Sequence, residues 1–213
     1  MEKIILVGGG GHCAVVIDTI RQQNDYEIAG ITELPGKDNQ VDGIAVIGTD
    51  EVLKIYFDNG VKRCFITVGS TDDQIVRERL FSQVKKIGFI LPNIISRRAV
   101  VSPSINIGEG NFVATGSIIN SGVVIGSNCI INTRAIIEHN CVIGDSSHIS
   151  TGAVLCGGVS VGSGTHIGAN STVKQNLRIG NKTVIGIGSV VVKDIGDGVI
   201  AFGNPCEVKR KNE

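Results

Sequence analysis

Tryptophan is absent from this chain, and aromatic residues make up only 4% of its 213 positions. A core organised around large rings is therefore excluded. Charge of one sign is missing too: 20 Lys and Arg balance 20 Asp and Glu. A net charge of zero supplies no general pull toward nucleic acid or an anionic membrane. There is no run of 18 apolar residues, and Met1-Glu2-Lys3 leads directly into a strand-like segment. That pattern argues against a transmembrane helix or a signal peptide. The six cysteines form no Cys-x-x-Cys pair, so the expectation is buried free thiols in a cytoplasmic protein rather than a disulfide framework or a zinc site.

What the chain has instead is 29 glycines and a period of six. Every sixth residue from Ile95 through Ile119, Ile143 and Ile167 to Val191 is Ile, Val or Leu. Four positions after each, the residue is mostly small, as at Ser117, Cys129, Ala135, Ser147, Thr165 and Ser189. Helices repeat near 3.6 and strands near 2, so neither yields this period. A solenoid of short parallel strands does, with positions one and five of each hexad inward and the others outward or at corners. Three hexads make one 18-residue triangular coil.

Residues 1–92 lack the repeat and alternate between strand-like and helix-like segments. Strands are expected at 3–7, 27–31 and 64–68, and helices at 13–22, at 51–57 after Val46-Ile47, and at 73–86. This predicts a small Rossmann-like parallel α/β sheet over 1–92, followed by a parallel β-helix with a C-terminal tail over 93–213. Between the first strand and helix lies Gly8-Gly9-Gly10-Gly11-His12. A glycine loop entering a helix presents backbone N–H groups and a positive helix end to a phosphate. Glu33, at the end of the second strand, is placed like an acid that holds a ribose hydroxyl.

Three of the four histidines lie in the solenoid. His148 and His166 are both at hexad position six and 18 residues apart, so they stack on adjacent coils. His139, at position three, is nine residues from His148, half a coil, and points elsewhere. Its neighbours Glu138 and Asn140 are polar groups able to orient an imidazole, and histidine is the side chain best suited to take a proton near neutral pH.

Residues 95–196 resemble the left-handed parallel β-helix of hexapeptide acyltransferases. The whole of 1–208 resembles the subgroup of sugar-nucleotide N-acetyltransferases and sialic acid O-acetyltransferase-like proteins. The resemblance is carried by Gly8 to His12, Gly43 to Gly48, Val68-Gly69-Ser70, Ile137 to Asp145 and Gly203-Asn204-Pro205. It implies an acetyl-CoA-dependent N-acetyltransferase of a nucleotide-linked amino sugar, working as a homotrimer without a metal. By the family pattern His139 is the general base. A carboxylate usually follows that histidine; here Asn140 does, leaving Glu138 or Asp145 to orient the ring. His148, Gly157 and Ala169 match positions at the acetyl thioester and pantetheine arm, and Gly186, Ile187 and Gly188 positions further along CoA. Gly10, Gly11, His12, Thr32, Glu33 and Gly69 match positions that hold the sugar nucleotide. The alternatives are an O-acetyltransferase on a sialic acid or another hydroxyl, a trimeric β-helix metal hydratase, and a non-catalytic nucleotide-binding scaffold. A further reading gives Lys209-Arg210-Lys211 a nucleotide phosphate, against simple solvation.

Overall fold

The run Ile4-Ile5-Leu6-Val7 is buried along its length, which is the pattern of a central parallel strand covered on both faces. It belongs to β1 (Glu2–Val7), which pairs in parallel with β2 (Tyr26–Thr32) on one side and β5 (Arg63–Ile66) on the other. The computed structural model describes residues 1–69 and 74–212. They divide into two compact units, 1–69 with 75–94, and 95–212 with Gln74. In the first unit the sheet order is β3-β4-β2-β1-β5, with helices α1 (Gly11–Gln23), α2 (Leu53–Asp58) and α3 (Ile75–Ile87). Ser70, and the expected helix start at Asp73, lie outside the described residues.

The sheet is not wholly parallel. Strands β3 (Gln40–Val41) and β4 (Ile44–Gly48) form an antiparallel hairpin on its edge. The two loop residues, Asp42 at φ +47 and Gly43 at φ +75, adopt the left-handed pair that two-residue hairpin turns require.

The second unit is a left-handed parallel β-helix. A two-residue strand occurs at every sixth step from Ile94–Ile95 to Val190–Val191. Up to Thr172–Val173 each pairs with the strand 18 residues on, as Ile118↔Ile136 and Ile136↔Val154 do. Three ladders result. The first runs through Phe112–Val113, Ile130–Ile131, His148–Ile149 and His166–Ile167; the second through Ile118–Ile119, Ile136–Ile137 and Val154–Leu155; the third through Val124–Ile125, Val142–Ile143 and Ser160–Val161. From Val113 onward the repeating aliphatic residue is buried at every step, whereas Ile95, Val101 and Ile107 in the first coil are only half-buried.

The small residue at position five is often polar for a reason of its own. Ser147, Thr165 and Thr183 are stacked at one corner inside the prism. Their hydroxyls donate to the turn carbonyls of Gly162 (2.8 Å), Gly180 (2.6 Å) and Gly196 (2.7 Å) on the following coil. Cys129 continues the row with its thiol 3.2 Å from the Gly144 carbonyl. Position four is left-handed at every sixth residue from Gly110 to Gly188, which explains why Gly and Asn recur there.

Beyond the last coil, Val199–Phe202 and Glu207–Lys211 form an antiparallel pair. The basic residues 209–211 are therefore strand residues, exposed on the hairpin, rather than a loose tail.

Candidate active site

The glycine loop lies where β1 hands over to α1. Gly8, at φ +105, is required by its surroundings: a Cβ there meets Val68 Cγ2 at 2.5 Å. Gly10 and Gly11 have no such demand, because a Cβ on either meets nothing within 4 Å. Gly10 is the N-cap of α1 and carries no side-chain cap; its carbonyl accepts from the Cys13 amide at 2.8 Å.

A cavity of about 300 Å³ opens beside the loop, lined by Gly10, Thr32, Glu33, Lys37, Asp50 and Gly69 among others. Four of the expected nucleotide residues thus share one cavity wall: Gly10, Thr32, Glu33 and Gly69. Gly11 and His12 sit in the first turn of α1, and a Cβ on Gly69 meets the His12 Cβ at 3.8 Å, ordinary contact. The buried Thr32 hydroxyl donates to Asp50 Oδ1 at 2.6 Å. Glu33 is more tied down than the sequence suggests. Its Oε2 accepts from the Gly9 amide at 2.6 Å and its Oε1 from the Leu34 amide at 2.7 Å. A carboxylate already on the Gly9 amide repels a phosphate there, yet it keeps lone pairs for a hydroxyl. The first turn of α1, Gly11 to Cys13, follows the loop directly. Burial pushes the Cys13 thiol, in that turn, up to about 11, against a lowering hydrogen bond with Thr67, which disfavours its thiolate.

On the solenoid, His139 is exposed at the corner between the second and third ladders. Its Nδ1 lies 3.2 Å from Asn140 Nδ2. Asn140 takes the left-handed position four, φ +59, which Asn tolerates well. A carboxylate in that place only accepts from Nδ1–H; an amide donates or accepts, so it fits either neutral tautomer. Gly157 sits one coil along the same corner, and a Cβ built on it meets His139 Nε2 at 2.5 Å and Cε1 at 2.6 Å. Glu138 precedes His139 with its amide donating to the Leu155 carbonyl at 3.0 Å. Asp145 does not join them. It occupies the next corner of the prism, where Oδ1 accepts from the Ser127 amide at 2.7 Å. Six residues from His139 is one face away, so within the chain Asp145 cannot orient that ring.

His148 and His166 stack as their spacing requires, with ring centroids 5.0 Å apart and planes 17° from parallel. They are not surface residues, however: they are only 6% and 9% exposed. The outward residues of this ladder, Phe112, Ile130, His148 and His166, form a buried column, so position six is not outward-exposed here. His148 Nε2 lies 3.1 Å from Asn132 Nδ2, and His166 Nε2 lies 2.6 Å from the Ser150 hydroxyl. Asn132 and Ser150 escaped the sequence reading. The only signal was arithmetic: both stand 16 residues before the histidine they touch.

Ala169 and Ile187 share a third corner, between the first and second ladders, where the Gly188 amide donates to the Ala169 carbonyl at 2.8 Å. Gly186 and Gly188 flank Ile187, which is 79% exposed. One chain therefore brings His139 to Gly157, and Ala169 to Ile187, but holds the two pairs on different edges. Among the described residues, no group of three or more His, Cys, Asp or Glu side chains is placed to hold a metal.

Comparison with known proteins adds to this geometry. Residues 3–84 match the PglD N-terminal domain family and residues 140–175 the bacterial transferase hexapeptide repeats. PerB from Caulobacter crescentus, solved with CoA and GDP-perosamine, is 37% identical with a TM-score of 0.92, covering 98% of each chain. The same organism's perosamine N-acetyltransferase has also been solved with a histidine replaced by Asn or Ala. The acetyltransferase domain of PglB from Neisseria gonorrhoeae is 31% identical, TM-score 0.90, over 98% of this chain and 100% of that one. An uncharacterized protein, L142 of Acanthamoeba polyphaga mimivirus, is 36% identical over 116 residues, 54% of this chain and 22% of that protein.

Proposed function

The chain belongs to the hexapeptide-repeat sugar N-acetyltransferases, and from that membership we propose that it moves the acetyl group of acetyl-CoA onto the amine of a nucleotide-linked amino sugar. The observation that carries the reading is the exposed His139 imidazole at a solenoid corner, lodged against Gly157 and flanked by Asn140. As the amine attacks the thioester carbonyl, its nitrogen holds a proton that must leave. His139 takes it, and the departing CoA sulfur is available to receive it. A thioester is already activated, so holding amine and carbonyl together supplies much of the rate and no acyl-enzyme is needed. Backbone N–H groups near Gly157 stabilise the oxyanion.

The acceptor is held by the N-terminal cavity. First-turn amides of α1 take phosphate, Glu33 and Asp50 take hydroxyl or base donors, and Gly69 with His12 closes the other side. The acetyl-CoA residues are His148, Gly157, Ala169 and the run Gly186, Ile187 and Gly188. We infer a homotrimer: one chain holds the Ala169 edge and His139 apart, and a second chain can set the one beside the other. The outward side of the second ladder supports this. Val100, Ile118, Ile136 and Val154 form an apolar run there, continued past Thr172 by Val190, all exposed or half-exposed in the single chain. Free thiols at all six cysteines suit the cytoplasm, where they stay reduced.

The test is His139→Ala, assayed by release of CoA thiol with GDP-perosamine and other nucleotide-linked amino sugars. kcat should fall roughly 10²–10⁴-fold, the worth of a general base. KM for acetyl-CoA should hold, because the role is proton transfer. Near-native turnover in this variant overturns the mechanism. Transfer only to hydroxyl acceptors overturns the substrate class.

A further inference from the structure

Gly157 is a glycine without a backbone reason. The left-handed residue of its turn is Gly158, at φ +72, whereas Gly157 has no such conformation. Equivalent corner positions one coil to either side carry side chains, His139 before it and Gln175 after it. The fold therefore tolerates a side chain at this step. What forbids one at Gly157 is the imidazole, because a Cβ falls 2.5 Å from Nε2, 2.6 Å from Cε1 and 3.2 Å from Cδ2 of His139. All three distances are to the same ring, and Asn140 Nδ2 holds the ring from its opposite edge through Nδ1.

We propose that Gly157 is a positioning residue, whose missing side chain is the seat that sets the His139 ring at its working angle. This rests on the reading of His139 as general base. The role differs from any contact through the Gly157 amide, which an alanine retains. A methyl group in the seat pushes the ring outward by about an ångström and off Asn140. Misplacement on that scale costs about 10²-fold in rate.

The experiment is a double-mutant cycle on the full-length protein, with Gly157→Ala and His139→Ala alone and together. kcat, KM for acetyl-CoA and melting temperature are measured for each. Gly157→Ala should lower kcat about 100-fold with KM for acetyl-CoA nearly unchanged. In the His139→Ala background the same change should alter kcat less than about twofold. Equal cost in both backgrounds means the effect does not pass through the imidazole and overturns the proposal, as does native kcat in Gly157→Ala. Should the single glycine variant fail to fold, the double variant should fold, because the ring is gone; failure of both overturns it too. If His139→Ala keeps native turnover, the general-base reading falls instead. The melting temperatures of the cycle then still report whether methyl and ring compete for one space.

Discussion

Replacing Thr165 by Val keeps the shape of a buried side chain and removes one oxygen. Thr165 is wholly buried; its hydroxyl donates to the Gly180 carbonyl at 2.6 Å and accepts from the Thr183 amide at 3.2 Å. The valine retains the apolar contacts but strands the Thr183 N–H and the Gly180 C=O, both on the next coil. An unsatisfied buried group costs about 1–3 kcal/mol, so two give a destabilisation of about 2–4 kcal/mol after partial relaxation. The control is Thr165→Ser, which keeps the oxygen and loses one methyl, about 1 kcal/mol. At this chain length 1 kcal/mol moves the melting temperature by about 2–4 °C. Thermal unfolding followed by circular dichroism, at one protein concentration for all variants, should rank native above Ser above Val. A valine variant that melts at or above the serine variant would refute the reasoning, since the hydroxyl column would then be a passenger of small size.

Gly10→Asp places a negative charge at the N-terminus of α1 on the cavity wall, so calorimetry should show sugar-nucleotide binding weakened at least tenfold and CoA binding unchanged. Equal loss of both ligands contradicts the assignment of two separate sites. The pH dependence of stability has an identified contributor in Asp197, whose carboxyl is held below its usual range by the Asn181 amide and then its side chain. A lowered folded-state value means stability that is present above the unfolded value, about 3.9, and lost as pH falls through the folded one. Asp197→Asn should therefore flatten the decline in melting temperature between pH 5 and pH 2.5; an unchanged slope removes the group from the account.

The period of six was legible because its cause is local: one inward aliphatic residue per two-residue strand, and one left-handed residue per turn. The same arithmetic stacked His148 on His166 before any coordinates. It also contained, unused, the fact that Asp145 and His139 occupy successive corners. The hairpin of β3 and β4 is signalled by Asp42-Gly43 between Val41 and Ile44-Ala45, a two-residue turn signature. Burial of the His148 column was not legible, because exposure of an outward position depends on contacts beyond the local repeat. The partners Asn132 and Ser150 were hidden for a related reason: contacts between coils join residues distant in the chain, and the composition of either segment alone does not announce them.

An 18-residue coil behaves as a quantised screw. Inserting one whole coil ahead of residue 137 advances His139 by about 4.8 Å along the axis and leaves its azimuth unchanged. Inserting a single hexad advances it by a third of that and turns it by a third of a revolution, onto another edge. Insertions of one or two residues satisfy neither condition and break the ladder. Lineages that lengthen or shorten this scaffold are thus confined to steps of 18 if the reacting corner is to keep its bearing, so length polymorphism among working homologues should be discrete, with loops at the corners absorbing everything else.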